Sequence, residues 1–446
     1  MKRFLLLIFS LTGAFAGEQK PNIVFILADD LGYGDIACYG CPDARTPNID
    51  KLADQGAKFT NFYANGTECT PTRTAIMTGR YPQFAGGLEC AIGTGNVGRY
   101  DDAIRLAKKS QLGLPVNQSV IPEVFTKAGY KTGIFGKWHL GYEPHFNPVK
   151  YGWDEFFGCL GGNVDYFTHR ELSPLPALFG NDKPVKREGY MTHLITNEAL
   201  QFISQHQQAP FFCYIPFTTP HFPFQTPTDR DKEFNKENWT DGSRESYVTM
   251  LEDLDAAVGK ILQKLENLKL DKNTLVLFAS DHGAMKPGRN LPWNGYKGSL
   301  FEGGIRAPLI ARWPGKIKPG TRCSQLGATF DLTASFARIT GTRVAGKKLD
   351  GIDLLACAEK NLKPIARDLY WRAKRGERTW WAVVNDDGET TRKYIRKKEN
   401  GETQEWFFNL KEDPGESKNL FALPDNYGHK LKVKLADWQS RVQALR

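Results

Sequence analysis

The stretch Asn22-Ile-Val-Phe-Ile-Leu-Ala28, running directly into Asp29-Asp30, decides how this chain folds. An almost wholly apolar run of strand length, stopped by carboxylates, is what a strand buried on both faces of a parallel sheet requires. Thr274-Leu-Val-Leu-Phe-Ala279 repeats the pattern ahead of Ser280-Asp281-His282, and Phe211-Phe-Cys-Tyr-Ile215 is a third such run. Between them the spacing predicts helices over 48–55, 119–128 and 246–268, each with an N-terminal capping residue or an early proline. Strands alternating with helices predict an α/β fold, with a large, mostly parallel sheet flanked by helices. Beyond about residue 360 the pattern changes. Asp368-Leu-Tyr-Trp-Arg372, Thr379-Trp-Trp-Ala-Val-Val384, Thr391-Arg-Lys-Tyr-Ile-Arg396 and Glu405-Trp-Phe-Phe-Asn-Leu410 read as short half-exposed strands. Asp413-Pro-Gly415 then breaks the chain before a last helix over 426–446. The expected organisation is a leader over 1–16, a catalytic domain over 17–360 and a smaller antiparallel sheet plus helix over 361–446.

The leader reading rests on Met1-Lys-Arg3, an apolar run from Phe4, and Ala14-Phe15-Ala16. A basic start, a short apolar segment and small residues two apart describe a secretory signal peptide cleaved after Ala16. Export to a periplasm or the cell exterior follows, or a lysosomal-type route in a eukaryote. No later run reaches about 18 apolar residues, so no membrane anchor is expected. The 446 residues are 41% hydrophobic, 24% charged and 12% aromatic, which excludes a disordered, collagen-like or disulfide-scaffold chain. The net charge of +9 favours anionic partners without naming one. Eight cysteines are scattered rather than framed, and Cys38-x-x-Cys41 lacks the second pair a zinc site needs.

The acidic pairs sit where chemistry is expected. In open α/β sheets, sites form beyond the carboxyl ends of the strands. If the strands ending at Ala28 and Ala279 are neighbours, Asp29, Asp30 and Asp281 converge, and like charges so close call for a cation. Taken alone, each such pair is more often a set of strand-end turn residues or helix caps. Cys69-Thr-Pro-Thr-Arg73 opens what reads as a short helix from about Pro71, and a thiol beside an arginine at a helix start is activated. Gly136-Lys-Trp-His-Leu-Gly141 puts Lys137 and His139 two apart, on one face of an extended segment. His221 sits in a proline-bounded loop and Lys297 in a glycine-rich one. Gly93-x-Gly-x-x-Gly98 matches a dinucleotide pattern, but no strand precedes it and no acid between Asp102 and Glu123 could hold a ribose. No nucleotide or nucleic-acid role is expected.

Together these segments resemble a type I sulfatase of the alkaline phosphatase superfamily. The likeness runs from Pro21 through Gly-Tyr-Gly-Asp35, then Cys69-Thr-Pro-Thr-Arg-Thr-Ala-Ile-Met-Thr-Gly-Arg80, Gly136–Gly141, Pro220-His221 and Ser280-Asp-His-Gly283. It ends with Lys297, Phe301-Glu-Gly-Gly304 and Asp413-Pro-Gly-Glu416, and so covers nearly the whole chain after the leader. The resemblance implies an alkaline-phosphatase-like fold and conversion of Cys69 to formylglycine by a maturation enzyme. It implies a Ca²⁺ site, with Mg²⁺ as the alternative, built from Asp29, Asp30, Asp281 and residue 282. Many relatives carry Asn at that last position; His282 here leaves the metal's identity open. It further implies that Arg73 favours the nucleophile, that Lys137 and Lys297 neutralise sulfate, and that His139 and His221 act as base and acid. Consuming Cys69 leaves seven cysteines, which cannot all pair within the chain.

The expected activity is hydrolysis of sulfate esters on a sulfated carbohydrate of the galactose or N-acetylhexosamine type. Asp165, His169 and Arg170 in the loop 161–170, with Trp293, are the candidate sugar-reading residues, equally readable as loop structure. The alternatives are a phosphate mono- or diesterase of the same superfamily and a non-catalytic exported glycan-binding protein.

Overall fold

The computed structural model describes residues 19–93, 103–173, 176–344, 346, 348–423 and 427–443. The expected leader, and the dinucleotide-like glycines beyond Gly93, lie outside them. Strand Asn22–Ala28 forms parallel ladders with Thr274–Ser280 on one side and Phe211–Pro216 on the other. Lys131–Lys137 and Glu155–Cys159 continue the parallel order beyond Phe211–Pro216. Antiparallel strands extend both ends of the sheet, giving ten strands in all. The core of the sheet is therefore the parallel unit that the apolar runs predicted.

Alternation along those runs builds two hydrophobic cores, one on each face of the sheet. Ile23, Phe25 and Leu27 join Leu275, Leu277, Phe212 and Tyr214 on one face. Val24, Ile26 and Ala28 join Val276, Phe278, Cys213 and Ile215 on the other. Burying each large side chain stabilises the fold by about 1.5–3 kcal/mol, and here every residue of the central strand is buried. Helices Pro47–Asp54, Met191–Gln205 and Arg244–Asn267 cover the second face. Ile121–Lys127 and Thr329–Thr340 cover the first, each within a few residues of its predicted span or newly seen.

The four C-terminal strands are Arg367–Arg375, Arg378–Asp386, Thr391–Glu399 and Glu402–Asn409, paired antiparallel in sequence order. Helix Gly428–Gln443 lies across them, burying Leu431, Leu435 and Trp438. Their core is shared with Tyr63, Tyr81, Leu300, Ile305 and Phe330 of the larger unit. A buried ionic cluster reinforces this junction. Lys393, fully buried, lies 2.8 Å from Glu302 and 3.0 Å from Glu416, and the Glu302 N–H donates to Glu416 at 2.6 Å. Burial lifts the Glu416 carboxyl to about 7 although Lys393 pulls it down.

All eight cysteines are free thiols. Asn65, the head of an N-x-Thr sequence, is buried, and its side-chain oxygen accepts from Thr329 Oγ1 and the Phe330 N–H. Among the described residues, no helix is long and apolar enough to cross a membrane.

Replacing Lys393 with Met leaves Glu416 beside Glu302 without its cation in a dry junction, although Arg306 still pairs with Glu302 at 2.6 Å, a loss of about 3–5 kcal/mol for breaking a buried ionic cluster. A Lys393→Met variant should unfold at clearly lower urea than the parent chain. An unchanged midpoint would show that the cluster does not brace the junction.

Candidate active site

The sheet brings the acidic pairs together through register. Ala28 pairs with Ser280, so Asp29-Asp30 and Asp281-His282 leave adjacent strand ends side by side. The Asp281 N–H donates to the Ala28 carbonyl at 3.1 Å, and the Asp30 N–H donates to Asp281 Oδ1 at 3.2 Å. Asp30 has a φ of 61°, a left-handed turn that reverses the chain at the strand end. Lys137 is the last residue of strand Lys131–Lys137 at the same edge. Helix Cys69–Thr78 begins two residues earlier than the sequence predicted. Cys69 therefore opens its first turn, and Arg73, four residues on, lies on the same face.

Three cations and three carboxylates surround Cys69. Its Sγ lies 3.2 Å from Lys137 Nζ, 3.8 Å from Lys297 Nζ, 3.3 Å from His282 Nε2 and 3.4 Å from Asp29 Oδ1. Lys137 binds Asp29 at 2.5 Å, Lys297 binds Asp30 at 2.7 Å, and Arg73 binds Asp281 at 3.1 Å. Burial raises the thiol's pKa, but Lys137 and Lys297 outweigh it and bring Cys69 down to about 7. The activation comes from these lysines, delivered by other elements, more than from the neighbouring arginine that the sequence suggested. Burial and the nearby Cys69 hold Asp29 well above the carboxylate range. Burial works against ionisation of Asp281 too, yet His282 and Arg73 hold it well below that range.

The two candidate proton carriers have defined tautomers. His139 is not in an extended segment; its φ is 58°, and its Nε2 lies 2.6 Å from the Ile92 carbonyl. A carbonyl only accepts, so Nε2 carries the hydrogen and Nδ1 keeps the lone pair. That Nδ1 is buried without a hydrogen-bond partner, and burial followed by Lys137 holds the ring neutral. Gly162 makes room for the ring, since a Cβ there would lie 2.7 Å from His139 Cε1. His221 donates from Nδ1 to the Phe222 carbonyl at 2.8 Å. Its Nε2 accepts from Lys297 Nζ at 3.2 Å, and burial holds this ring neutral as well.

Cys69, His139, His221 and Lys297 line a cleft of about 680 Å³. Its remaining walls include Glu68, Tyr142, Asn163, Glu171, Trp239 and Arg375. Tyr142 and Glu171 each follow directly on a segment the sequence singled out, so their neighbours were the available signal. Arg375 lies at a hairpin tip of the C-terminal sheet and Trp239 in an irregular loop; neither carries a local pattern. Burial lifts Glu171 to about 7 against the pull of Lys137.

The sugar-reading candidates do not line this cleft. Asp165 is buried, its carboxylate accepting the N–H groups of Phe167 and Thr168 at 2.9 and 2.6 Å, which makes it a turn residue. His169 binds the Gly189 carbonyl at 2.9 Å, and with Arg170 it lines a second cavity. Trp293 lies under the Arg306 guanidinium at 4.1 Å, edge-on to Tyr33, in a third and separate cavity. A cation held over its ring occupies the face that a sugar would need.

Comparison with known proteins agrees with this geometry. The family model described as Sulfatase matches residues 21–342, and that described as N-sulphoglucosamine sulphohydrolase, C-terminal, matches residues 295–441. The chain is 35% identical to N-acetylgalactosamine-6-sulfatase of Mus musculus over 390 residues, covering 82% of this chain and 72% of that protein. It is 34% identical to arylsulfatase A of Homo sapiens over 382 residues, covering 78% and 69% respectively. Among solved structures, Ps i-CgsB in complex with k-i-k-neocarrahexaose superposes with a TM-score of 0.80 at 31% identity, covering 94% of this chain and 93% of that one.

The donor set suits a divalent cation. His282 donates from Nδ1 to the Gly283 carbonyl at 3.0 Å, which turns its Nε2 towards the carboxylates. That nitrogen lies 3.4 Å from Asp30 and 3.6 Å from Asp281. Ligand atoms of Asp29, Asp281, His282 and Cys69 lie within 4.8 Å of one another. Burial opposes a charge on His282, but Asp281 and Cys69 raise it to about 10, so the ring carries a proton that a bound cation would displace. Adding Ca²⁺ or Mg²⁺ to chelator-treated protein should therefore raise its unfolding temperature, by the equivalent of about 2.7 kcal/mol at a hundredfold excess over Kd. Asp30→Asn should abolish that shift. Scanning calorimetry showing no shift with either ion would rule out the site.

Proposed function

The chain belongs to the sulfatase family and is a sulfuric ester hydrolase, and on that premise we propose that it removes sulfate from a sulfated carbohydrate of the galactose or N-acetylhexosamine type after export. The convergence of Lys137, Lys297 and Arg73 on residue 69 and its carboxylates carries this reading. Lys137, Lys297 and Arg73 set three positive charges among the carboxylates, and a bound divalent cation would add to them, which suits an anionic sulfate monoester. The carbohydrate reading is supported by the relative named for N-acetylgalactosamine 6-sulfate and by the neighbour solved with a neocarrahexaose. The cleft's own lining supports it too, since Trp239 offers a ring face while Tyr142 and Glu171 offer hydroxyl-reading groups.

Cys69 is the residue converted to formylglycine by a maturation enzyme, and the hydrated aldehyde supplies one hydroxyl to attack sulfur and a second through which sulfate is released. Asp29, Asp30, Asp281 and His282 would hold a divalent cation, which would supply Lewis-acid stabilisation of negative charge on oxygen. Lys137 and Lys297 lie close enough to residue 69 to neutralise the sulfate oxygens as charge builds on them. Arg73 holds Asp29 and Asp281 in position beneath the reacting group. The free Nδ1 of neutral His139 is the base that takes the hydroxyl proton when sulfate is released. His221 gives its Nε2 proton to the departing alcohol, and the anionic substrate favours the protonated ring that this needs.

Release of inorganic sulfate from defined monosulfated galactose and N-acetylhexosamine sugars tests the proposal. Matured protein should release sulfate from at least one of them, and Cys69→Ala should lower kcat by about 10⁴-fold or more. Faster turnover of phosphate diesters than of any sulfate ester would transfer the assignment to the phosphoesterase alternative.

A further inference from the structure

A second cavity, of about 1120 Å³, lies against the first, and Glu171, Leu172 and Ser173 line both. Its walls carry three cationic side chains, Arg170, Lys186 and Arg187, against the single carboxyl of Glu171. Among the described residues, no carboxylate pairs with Arg170 or Lys186. Among the described residues the one carboxylate near Arg187 is Glu198, at 3.9 Å with both side chains substantially exposed, a separation that contributes little, and its Nη1 donates to the Lys186 carbonyl at 3.3 Å. Its guanidinium lies over the Phe157 ring at 5.8 Å, which directs it without consuming its hydrogen-bonding edge. Leu172, on the ridge between the cavities, is 53% exposed, an apolar surface of the kind against which the C–H face of a sugar ring packs.

Unpaired cations grouped in a concavity cost self-repulsion unless an anion joins them. The first cleft, of about 680 Å³, is by itself of small-ligand size, and the second adds a larger volume beside it. We infer that the second cavity is an anionic subsite, which takes the carboxylate or sulfate group of the sugar adjoining the one that is desulfated. The inference rests on the carbohydrate-sulfatase reading and deepens it: the substrate is an acidic oligosaccharide, gripped across two rings over the Leu172 ridge. Arg170 and Arg187 bind the anion through their guanidinium forks, and Lys186 adds a point charge.

The test uses three disaccharides that share one sulfated terminal sugar, whose partner ring is neutral, a uronic acid or a second sulfated sugar. Affinities are measured by titration calorimetry on the Cys69→Ser protein, which does not turn the ligands over. Turnover of a single-ring aryl sulfate by the matured enzyme is measured alongside. At least tenfold tighter binding of the uronate or disulfated disaccharide than of the neutral one is expected, and which of the two wins identifies the anion. Lys186→Ala/Arg187→Ala should erase that preference, and 0.5 M salt should weaken it. Equal affinities for all three disaccharides overturn the subsite while aryl sulfate turnover leaves the sulfatase reading standing. A preference that survives in the double variant also overturns it.

Discussion

Three carboxylates emerging from two adjacent parallel strands are the constraint on which the rest of this molecule depends. Asp29, Asp30 and Asp281 are brought together by backbone register, before any side chain chooses a partner. At such separations their repulsion inside a protein is worth kilocalories, so each element that reaches this edge brings a positive group. The strand ending in Lys137, the helix carrying Arg73 and the loop carrying Lys297 each pair with one of the three. Lys137 and Lys297 also depress the thiol of Cys69, so the features that make the acidic cluster tolerable also shape a receptor for an anionic ester.

The C-terminal sheet takes part in this arrangement. Lys393 reaches through the junction to Glu302, which stands five residues beyond Lys297 on the loop that reaches Asp30. Glu302 also accepts from Tyr63 Oη at 2.7 Å and pairs with Arg306 at 2.6 Å. Two segments that carry the family resemblance, Phe301-Glu-Gly-Gly304 and Asp413-Pro-Gly-Glu416, thus meet on one buried lysine. The sheet that supplies it also extends Arg375 to the cleft wall.

Much of this was legible in the chain because it is encoded locally. Apolar runs ending in Asp-Asp and Asp-His specify both the strands and where the acids emerge. The Cys-x-Pro-x-Arg helix and the Gly-Lys-Trp-His-Leu-Gly strand end carry their functional groups with them. What escaped is set by tertiary position alone. Trp293 has the composition of a sugar platform, yet Arg306 covers its ring; Asp165 has the look of a sugar ligand, yet it caps its own turn. Conversely, Trp239 and Arg375 reach the cleft from segments with no periodicity or motif to mark them. The left-handed conformation of His139 and its contact with the Ile92 carbonyl, which fixes which nitrogen is free, are tertiary features that no spacing rule reports.

The central claim is that residue 69 is the reacting group and that it works as an aldehyde. Mass analysis of the proteolytic peptide containing Cys69, from protein produced in its native host, addresses it most directly. In active protein this peptide should carry the mass loss of thiol-to-aldehyde conversion, at that residue alone among the cysteines. Active enzyme with an intact Cys69 thiol would contradict it.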